Sequence, residues 1–167
     1  MNRHFLYSIL LSCLLLLLPL TSEISYSQAL EAINENDVLA VLNAVDKAAK
    51  RSNIPGIIAP LARDVKIKMR VSIPGSDKEQ LTTLNKEQYT FVLKQAFRKR
   101  LRYQYERKNT RIKIYNDNKT AMVTCDIYEI LTLREGTLRT VSSEVAILNL
   151  QNGKILVTSI EGRTRFY

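Results

Sequence analysis

Leu138-Arg139-Thr140-Val141-Ser142-Ser143-Glu144-Val145-Ala146-Ile147-Leu148-Asn149-Leu150-Gln151-Asn152-Gly153-Lys154-Ile155-Leu156-Val157-Thr158-Ser159-Ile160-Glu161-Gly162-Arg163-Thr164 is the stretch that decides the fold. Apolar and polar residues alternate on both sides of Asn152-Gly153, so the stretch reads as two long strands joined by a tight hairpin. The same pattern extends upstream. Strand Thr120 to Leu133 turns at Glu135-Gly136 into Leu138, and strand Tyr103 to Tyr115 turns at Asn116-Asp117-Asn118-Lys119 into Thr120.

Before this meander lie elements of a different period. Val38, Leu42, Val45 and Ala49 recur at helical spacing, predicting a helix from Asp37 to Arg51 capped by Asn36. Asn53-Ile54-Pro55 opens a short second helix carrying Ile57, Ile58 and Leu61, with Pro in the first turn where its missing N–H costs little. Val65, Ile67, Met69, Val71 and Ile73 alternate with Lys66, Lys68, Arg70 and Ser72, which predicts a strand over 64–73 with one buried and one basic face. Pro74-Gly75-Ser76-Asp77 breaks it, and Gln80 to Leu84 has room for a short strand. Asn85 and Gln88 have capping-box spacing and start a helix whose apolar face is Tyr89, Val92, Leu93, Ala96, Phe97 and Leu101. Strands on one antiparallel sheet, packed by about three helices from the N-terminal half, make an α+β domain.

Residues 1–29 read as a cleaved signal peptide, with an uncleaved anchor as the alternative. Arg3 and His4 precede an apolar run from Phe5 to Leu18, and Ser27-Gln28-Ala29 fits a small-x-small cleavage site. The reading places the protein outside the cytoplasm, periplasmic or secreted, as one domain over 30–167. It also removes His4, the only histidine, and leaves Cys125 without a disulfide partner. Cys125 sits in an alternating strand and reads as a small core residue. No Gly-rich phosphate loop, paired Cys motif, nucleophile elbow or spaced Asp cluster occurs, so neither a cofactor nor a metal is expected.

The chain carries 25 Lys and Arg against 16 Asp and Glu, a net charge of +9. Much of the excess falls between Lys94 and Lys113. Lys94, Arg98 and Arg102 recur at four-residue spacing on the helix side away from Val92, Ala96 and Phe97, while Arg107, Arg111 and Lys113 share one strand parity. They are expected to form a positive surface that weakly attracts anionic membrane or envelope components; nucleic acid is set aside for an exported chain. The bland alternative is a solvated face that maintains solubility.

The element order resembles the nuclear transport factor 2-like superfamily, including its polyketide cyclase-like branch. The resemblance spans residues 30–167. It rests on the helix pair from Asp37 to Ala62 ending in Leu61-Ala62-Arg63-Asp64-Val65, on the helix start Lys86-Glu87-Gln88-Tyr89, and on Asn152-Gly153-Lys154-Ile155-Leu156-Val157-Thr158-Ser159-Ile160-Glu161. It implies a cone of curved sheet and helices enclosing a pocket, often in a dimer. A homodimer also suits the apolar residues Ile130, Val141, Val145 and Ile147 on the sheet face opposite Leu131. Members include cofactor-free isomerases, dehydratases and cyclases as well as noncatalytic binding and assembly domains, so the fold alone does not transmit an activity. An Asp-His pair, the first of the family's catalytic patterns, is excluded here because no histidine remains. A carboxylate with Tyr and a second acid stays open.

Hairpin register supplies the candidates for that second pattern. Two-residue loops place Glu129 opposite Ser142, Glu144 opposite both Ile127 and Glu161, and Ser142 opposite Arg163. Glu129, Glu144, Glu161 and Arg163 then share a face with Cys125, Leu131, Ala146 and Leu148, where crowding and desolvation would raise one acid's pKa. A bulge near Asp126 to Tyr128 would reverse this, turning Tyr105, Tyr128, Ile130 and Val141 inward and leaving the glutamates as solvated partners of Lys108 and Arg163. That second arrangement is the expected one, since charged side chains are seldom buried unpaired. Tyr103, Tyr105 and Tyr128 are either pocket walls or core aromatics. The leading functional expectation is therefore a noncatalytic domain that binds a small apolar or amphipathic ligand, or offers its sheet to a partner. The alternative is a cofactor-free isomerase, dehydratase or cyclase using Glu129 or Glu144 as base and Tyr128 or another acid as donor.

Overall fold

The computed structural model describes residues 30–72 and 78–167, excepting the side chain of Lys99. The signal-peptide reading and the turn at 74–77 fall outside the described residues. The elements are α1 (Glu35–Lys50), α2 (Ile54–Ile58), β1 (Leu61–Ser72), β2 (Glu79–Leu84), α3 (Lys86–Lys99), β3 (Arg102–Ile114), β4 (Thr120–Leu133), β5 (Gly136–Gln151) and β6 (Lys154–Phe166). Helix α1 starts earlier than the apolar pattern suggested. Asn34, not Asn36, is its cap, because Asp37 stands three residues on and the two exchange backbone-to-side-chain hydrogen bonds of 3.1 Å each. At α3 the cap is Asn85, paired reciprocally with Gln88.

The six strands form one curved sheet in the order β2-β1-β6-β5-β4-β3. It is mixed rather than wholly antiparallel: β1 lies parallel to β6, and every other pairing is antiparallel. The long crossover from β1 back to β6 makes that pair parallel. Asn152 and Gly153, both with positive φ (50° and 72°), close the β5–β6 hairpin as the Asn-Gly signal requires. At the β4–β5 turn Gly136 belongs to the strand and pairs with Leu133, so the loop is Arg134-Glu135. This moves the register by two residues relative to expectation. Glu129 faces Thr140, Ile127 faces Ser142, and Cys125 faces Glu144. A shift of two preserves the sheet face.

Two bulges do change the faces, and neither lies in β4. In β3, Lys108 pairs with Asp126 but Arg111 pairs with Thr124, leaving one extra residue. Asn109 accommodates it with φ of 52° and donates a side-chain hydrogen bond to Asp126 at 2.7 Å. In β6, Val157 pairs with Leu148 but Ser159 pairs with Ile147.

The helices cover one face of the sheet. At the end bounded by the 116–119 and 152–153 turns, Val38, Leu42, Val65, Ile67, Val123 and Leu148 pack into a buried core. A second cluster of Ala48, Ala49, Ile57 and Phe97 joins α1, α2 and α3. Between the two clusters the cone stays open. Leu148 is fully buried and Leu101 is 65% exposed, so Leu148→Ala should cost about 2–5 kcal/mol in urea unfolding whereas Leu101→Ala should stay within about 0.5 kcal/mol.

Candidate functional site

A pocket of about 360 Å³ occupies the open half of the cone. Its walls come from α1 (Val45), α3 (Tyr89, Leu93, Phe97) and the inner face of β3 to β6. Strands β4 and β5 run through this wall without a bulge, so every second residue points in: Ile127, Glu129 and Leu131 from β4, and Leu138, Thr140, Ser142, Glu144 and Ala146 from β5. Both glutamates therefore line the pocket, and the expectation that they face solvent is overturned.

The two carboxyls differ in environment. Tyr103, on the adjacent strand, donates a short hydrogen bond to Glu129. Burial raises the Glu129 pKa and the Tyr103 hydroxyl opposes that rise by stabilising the anion. Glu144 has no hydrogen-bond partner among the described residues. Burial, reinforced by the charge of Glu129 and opposed by Arg107, pushes its pKa from 4.5 up to about 7. Glu144 stands opposite Cys125, four residues from Glu129 along β4, so the two backbones are ~14 Å apart at a rise of ~3.4 Å per residue. That separation leaves room for a substrate and does not let the acids share one proton directly.

Gly162 makes the space that Glu144 needs. It faces both Glu144 and Met69, and a Cβ there would come within 2.7 Å of the Met69 methyl and 3.3 Å of Glu144 Cγ. Tyr89 reaches the same cavity from α3. Its hydroxyl makes no hydrogen bond among the described residues, and burial followed by the charges of Glu144 and Glu129 raises its pKa.

A third polar group closes the α1 side. Asp46 accepts from Arg107 Nε at 2.9 Å, from Arg107 Nη2 at 2.8 Å and from the Tyr105 hydroxyl at 3.1 Å. Arg107 also donates to Tyr105 Oη at 3.0 Å and to Cys125 Sγ at 3.4 Å. Burial is the largest single influence and opposes the guanidinium charge, but the bond to Asp46 together with the charges of Tyr105, Asp46 and Cys125 outweighs it and the Arg107 pKa is raised. Cys125 is buried beneath this network, and desolvation raises its thiol pKa despite Arg107.

Several predicted site residues lie elsewhere. Tyr128 is on the outer face, with the Lys108 ammonium 5.0 Å from its ring centroid, and is withdrawn as a catalytic or pocket candidate. The β6 bulge puts Gly162, rather than Glu161, opposite Glu144. Glu161 and Arg163 consequently face outward, ion-paired with Lys68 at 3.1 Å and Glu79 at 2.5 Å. The β3 bulge separates Arg107 from Arg111 and Lys113, so Arg107 leaves the predicted cationic surface for the pocket while the other two stay exposed. Lys94, Arg98 and Arg102 are exposed as the helical spacing implied. Tyr103 and Tyr105 are pocket walls. Asp46 and Tyr89 were missed as polar site residues. An acid one turn beyond Leu42 in an apolar stripe was the available signal for the first; Tyr89 read simply as part of such a stripe. Among the described residues no cluster of three or more His, Cys, Asp or Glu side chains is gathered as a metal would require.

Comparison with solved structures places this arrangement in a known fold. An NTF2-like protein from Cytophaga hutchinsonii superposes with a TM-score of 0.59 at 17% identity, covering 78% of this chain and 98% of that one. The chain has the NTF2-like fold. A conserved protein from Planctomyces limnophilus gives 0.65 at 14% identity, covering 80% and 97% of the two chains. The hexachlorocyclohexane dehydrochlorinase LinA-type3 from Novosphingobium barchaimii gives 0.62 at 10% identity, covering 79% and 87%. No family model matches the sequence, and no curated protein does. The NTF2-like fold thus hosts an enzyme among these neighbours and, elsewhere, proteins of unknown function such as one from Pseudomonas putida.

Removing one partner of the Asp46–Arg107 pair strands the other in a largely buried site, so Arg107→Met should cost about 3 kcal/mol and Asp46→Leu/Arg107→Met together markedly less, as a double-mutant cycle will read. Glu144 has a folded pKa above its unfolded value, so its favourable contribution is complete below about pH 4.5 and is lost as pH rises through about 7. The loss is at most about 3 kcal/mol. Glu144→Gln should remove that pH dependence and melt higher than the parent at about pH 8.

Proposed function

We propose that the protein is a cofactor-free acid–base catalyst acting on a small, largely apolar substrate, as an isomerase, dehydratase or cyclase. The single observation that carries this is Glu144: a carboxyl enclosed by an apolar wall, without a hydrogen-bond partner, facing a cavity that also holds the Tyr103–Glu129 pair. A domain that only binds an apolar ligand has no need of two desolvated acids. The noncatalytic reading favoured from sequence rested on charged groups being seldom buried unpaired, and Glu144 is a half-buried carboxyl that opens onto the pocket without a hydrogen-bond partner among the described residues.

The environments separate the two roles. Burial raises the Glu129 pKa and the hydrogen bond from Tyr103 limits that rise, so Glu129 is the one of the two to serve as base. Glu144 holds the proton near neutral pH and serves as acid. Glu129 takes a proton from the carbon next to a carbonyl; the C–H electrons form a C=C bond and charge moves to the carbonyl oxygen. Glu144 and the unpartnered Tyr89 hydroxyl stabilise that oxygen by donating hydrogen bonds. Return of the proton to another carbon completes an isomerisation. Departure of a β-hydroxyl, protonated by Glu144 to water, completes a dehydration. Arg107, neutralised by Asp46, orients Tyr105 and adds a fixed dipole at the far wall.

Turnover of a panel of β,γ-unsaturated and β-hydroxy cyclic ketones tests the reading. Glu129→Gln should reduce kcat by about 10²–10⁴-fold. The parent rate should fall above about pH 7 as Glu144 loses its proton. Glu144→Gln retains a donor and should abolish that alkaline limb. Binding of these ketones with no turnover in the parent would return the protein to the noncatalytic class.

We also propose that the outer sheet face, with Val145 40% exposed beside Ile130, Val141 and Ile147, is covered by a second copy of the chain. Sedimentation should give a dimer at micromolar concentration that Val145→Asp dissociates.

A further inference from the structure

The entrance of the pocket is more apolar than a solvent-facing surface requires. Val92 and Leu138 line the pocket yet are 46% and 45% exposed. Leu101, hydrogen-bonded through its backbone to Thr132, immediately precedes β3 on the inner parity and is 65% exposed. Phe166 faces Thr140 at the same end of the sheet and is 37% exposed. Isolated exposed hydrophobics are ordinary, but large ones gathered around one opening mark an interaction surface.

Cations lie at the same end of the cone, on its outer surface: Arg102 and Arg139 have the strand parity opposite to Tyr103 and Leu138, and Arg98 is on the side of α3 away from Val92. Arg98 lies on α3, Arg102 opens β3, Arg134 sits in the β4–β5 loop, and Arg139 follows Leu138 directly; all four are exposed. None of the four is ion-paired among the described residues, and Glu135 is the single carboxylate in that loop. Arg111 and Lys113 are at the opposite end of β3, beyond the bulge and near the 116–119 turn. The basic window of the sequence is therefore divided between the two ends of the cone.

We infer that the open end of the cone docks on an anionic lipid bilayer, with the apolar rim inserted at the headgroup boundary and the arginines on lipid phosphates. The rim supplies apolar insertion and the arginines supply charge, and stable peripheral attachment needs two such signals. Each cation near an anionic surface contributes about 1 kcal/mol, screened beyond a Debye length of ~8 Å at physiological salt. A protein partner on the same rim would seal the pocket. A bilayer instead becomes the source of its contents, so the geometry assigns the ligand to molecules that dissolve in lipid. This inference does not rest on the acid–base reading, because it concerns the rim and not the carboxyls.

The chain has no tryptophan, which allows a local probe in the full-length protein. Leu138→Trp reports the rim and Lys113→Trp the far end. With vesicles of phosphatidylglycerol and brominated phosphatidylcholine in equal parts, Leu138→Trp emission should be quenched and blue-shifted while Lys113→Trp is unaffected. Adding Arg102→Glu and Arg139→Glu to the Leu138→Trp protein should weaken the apparent vesicle affinity at least about tenfold at low salt. Circular dichroism melts verify folding of each variant. Because both probe positions are exposed, a Val92→Trp probe replaces Leu138→Trp should the latter melt early. Equal quenching of rim and far-end probes, quenching of neither, or an affinity indifferent to the arginine reversals would overturn the proposal. Concentration-dependent self-association that protects the rim probe without vesicles would assign the surface to a second copy instead.

Discussion

Everything in the pocket depends on the strict alternation of side chains across a β-strand, and on where an extra residue resets it. Strands β4 and β5 keep one phase through the pocket wall, so Glu129 and Glu144 share that wall with Cys125 and Leu131. In β3 the additional residue at Asn109 lets Tyr103, Tyr105 and Arg107 face inward on one side while Ile112 and Ile114 face inward on the other. An unbulged β3 that buried Ile112 and Ile114 would present Gln104, Glu106 and Lys108 to the cavity. The β6 bulge has the complementary effect. It sends Glu161 out to Lys68 and brings glycine to the position where Glu144 needs room.

The electrostatics follow from those placements. Arg107 and Asp46 neutralise each other across the contact between β3 and α1, so they tie the helix to the sheet without leaving a net charge beside the cavity. The two glutamates are left over. Tyr103 relieves one, and nothing in the described residues relieves the other. A wall built for stability alone would carry Leu or Gln at 144, since a half-buried carboxyl whose pKa is raised by desolvation opposes folding once it ionises. Local rules are broken in this way chiefly at functional sites, where the groups meet a ligand rather than the protein.

Much of the architecture was legible because it is written in periodicity. The alternation from Tyr103 onward, the Asn152-Gly153 turn and the Asn85–Gln88 capping box each leave a local signature, and each element stands within a few residues of its expected place. The site was legible only in part. Glu129 and Glu144 could be placed on the same face as Leu131, but a bulge leaves a weak mark in sequence, so which of the two faces lines the cone is decided by the three-dimensional packing alone. Asn109, a residue tolerant of positive φ inside a strand, was the one clue to the β3 bulge. Thr158 at the β6 bulge offered none. Asp46 was obscured for another reason: its partner Arg107 is 61 residues away, and a pairing over that separation has no period to reveal it.

The distribution of charge along the cone also explains how a basic protein can maintain a carboxyl that titrates near neutrality. Exposed arginines at the open end of the cone would lower the Glu144 pKa if their field reached it undiminished. They sit in water, where an effective dielectric near 80 reduces a unit-charge interaction to about 1 kcal/mol at 4 Å, and less with distance and salt. Glu129 and Arg107 act on Glu144 inside the protein, where screening is weaker, and they oppose each other. What remains is desolvation by the apolar wall. The same apolar lining therefore adds no charge of its own to the pocket and raises the acid that faces it, while the exposed cations act only on what lies outside the pocket.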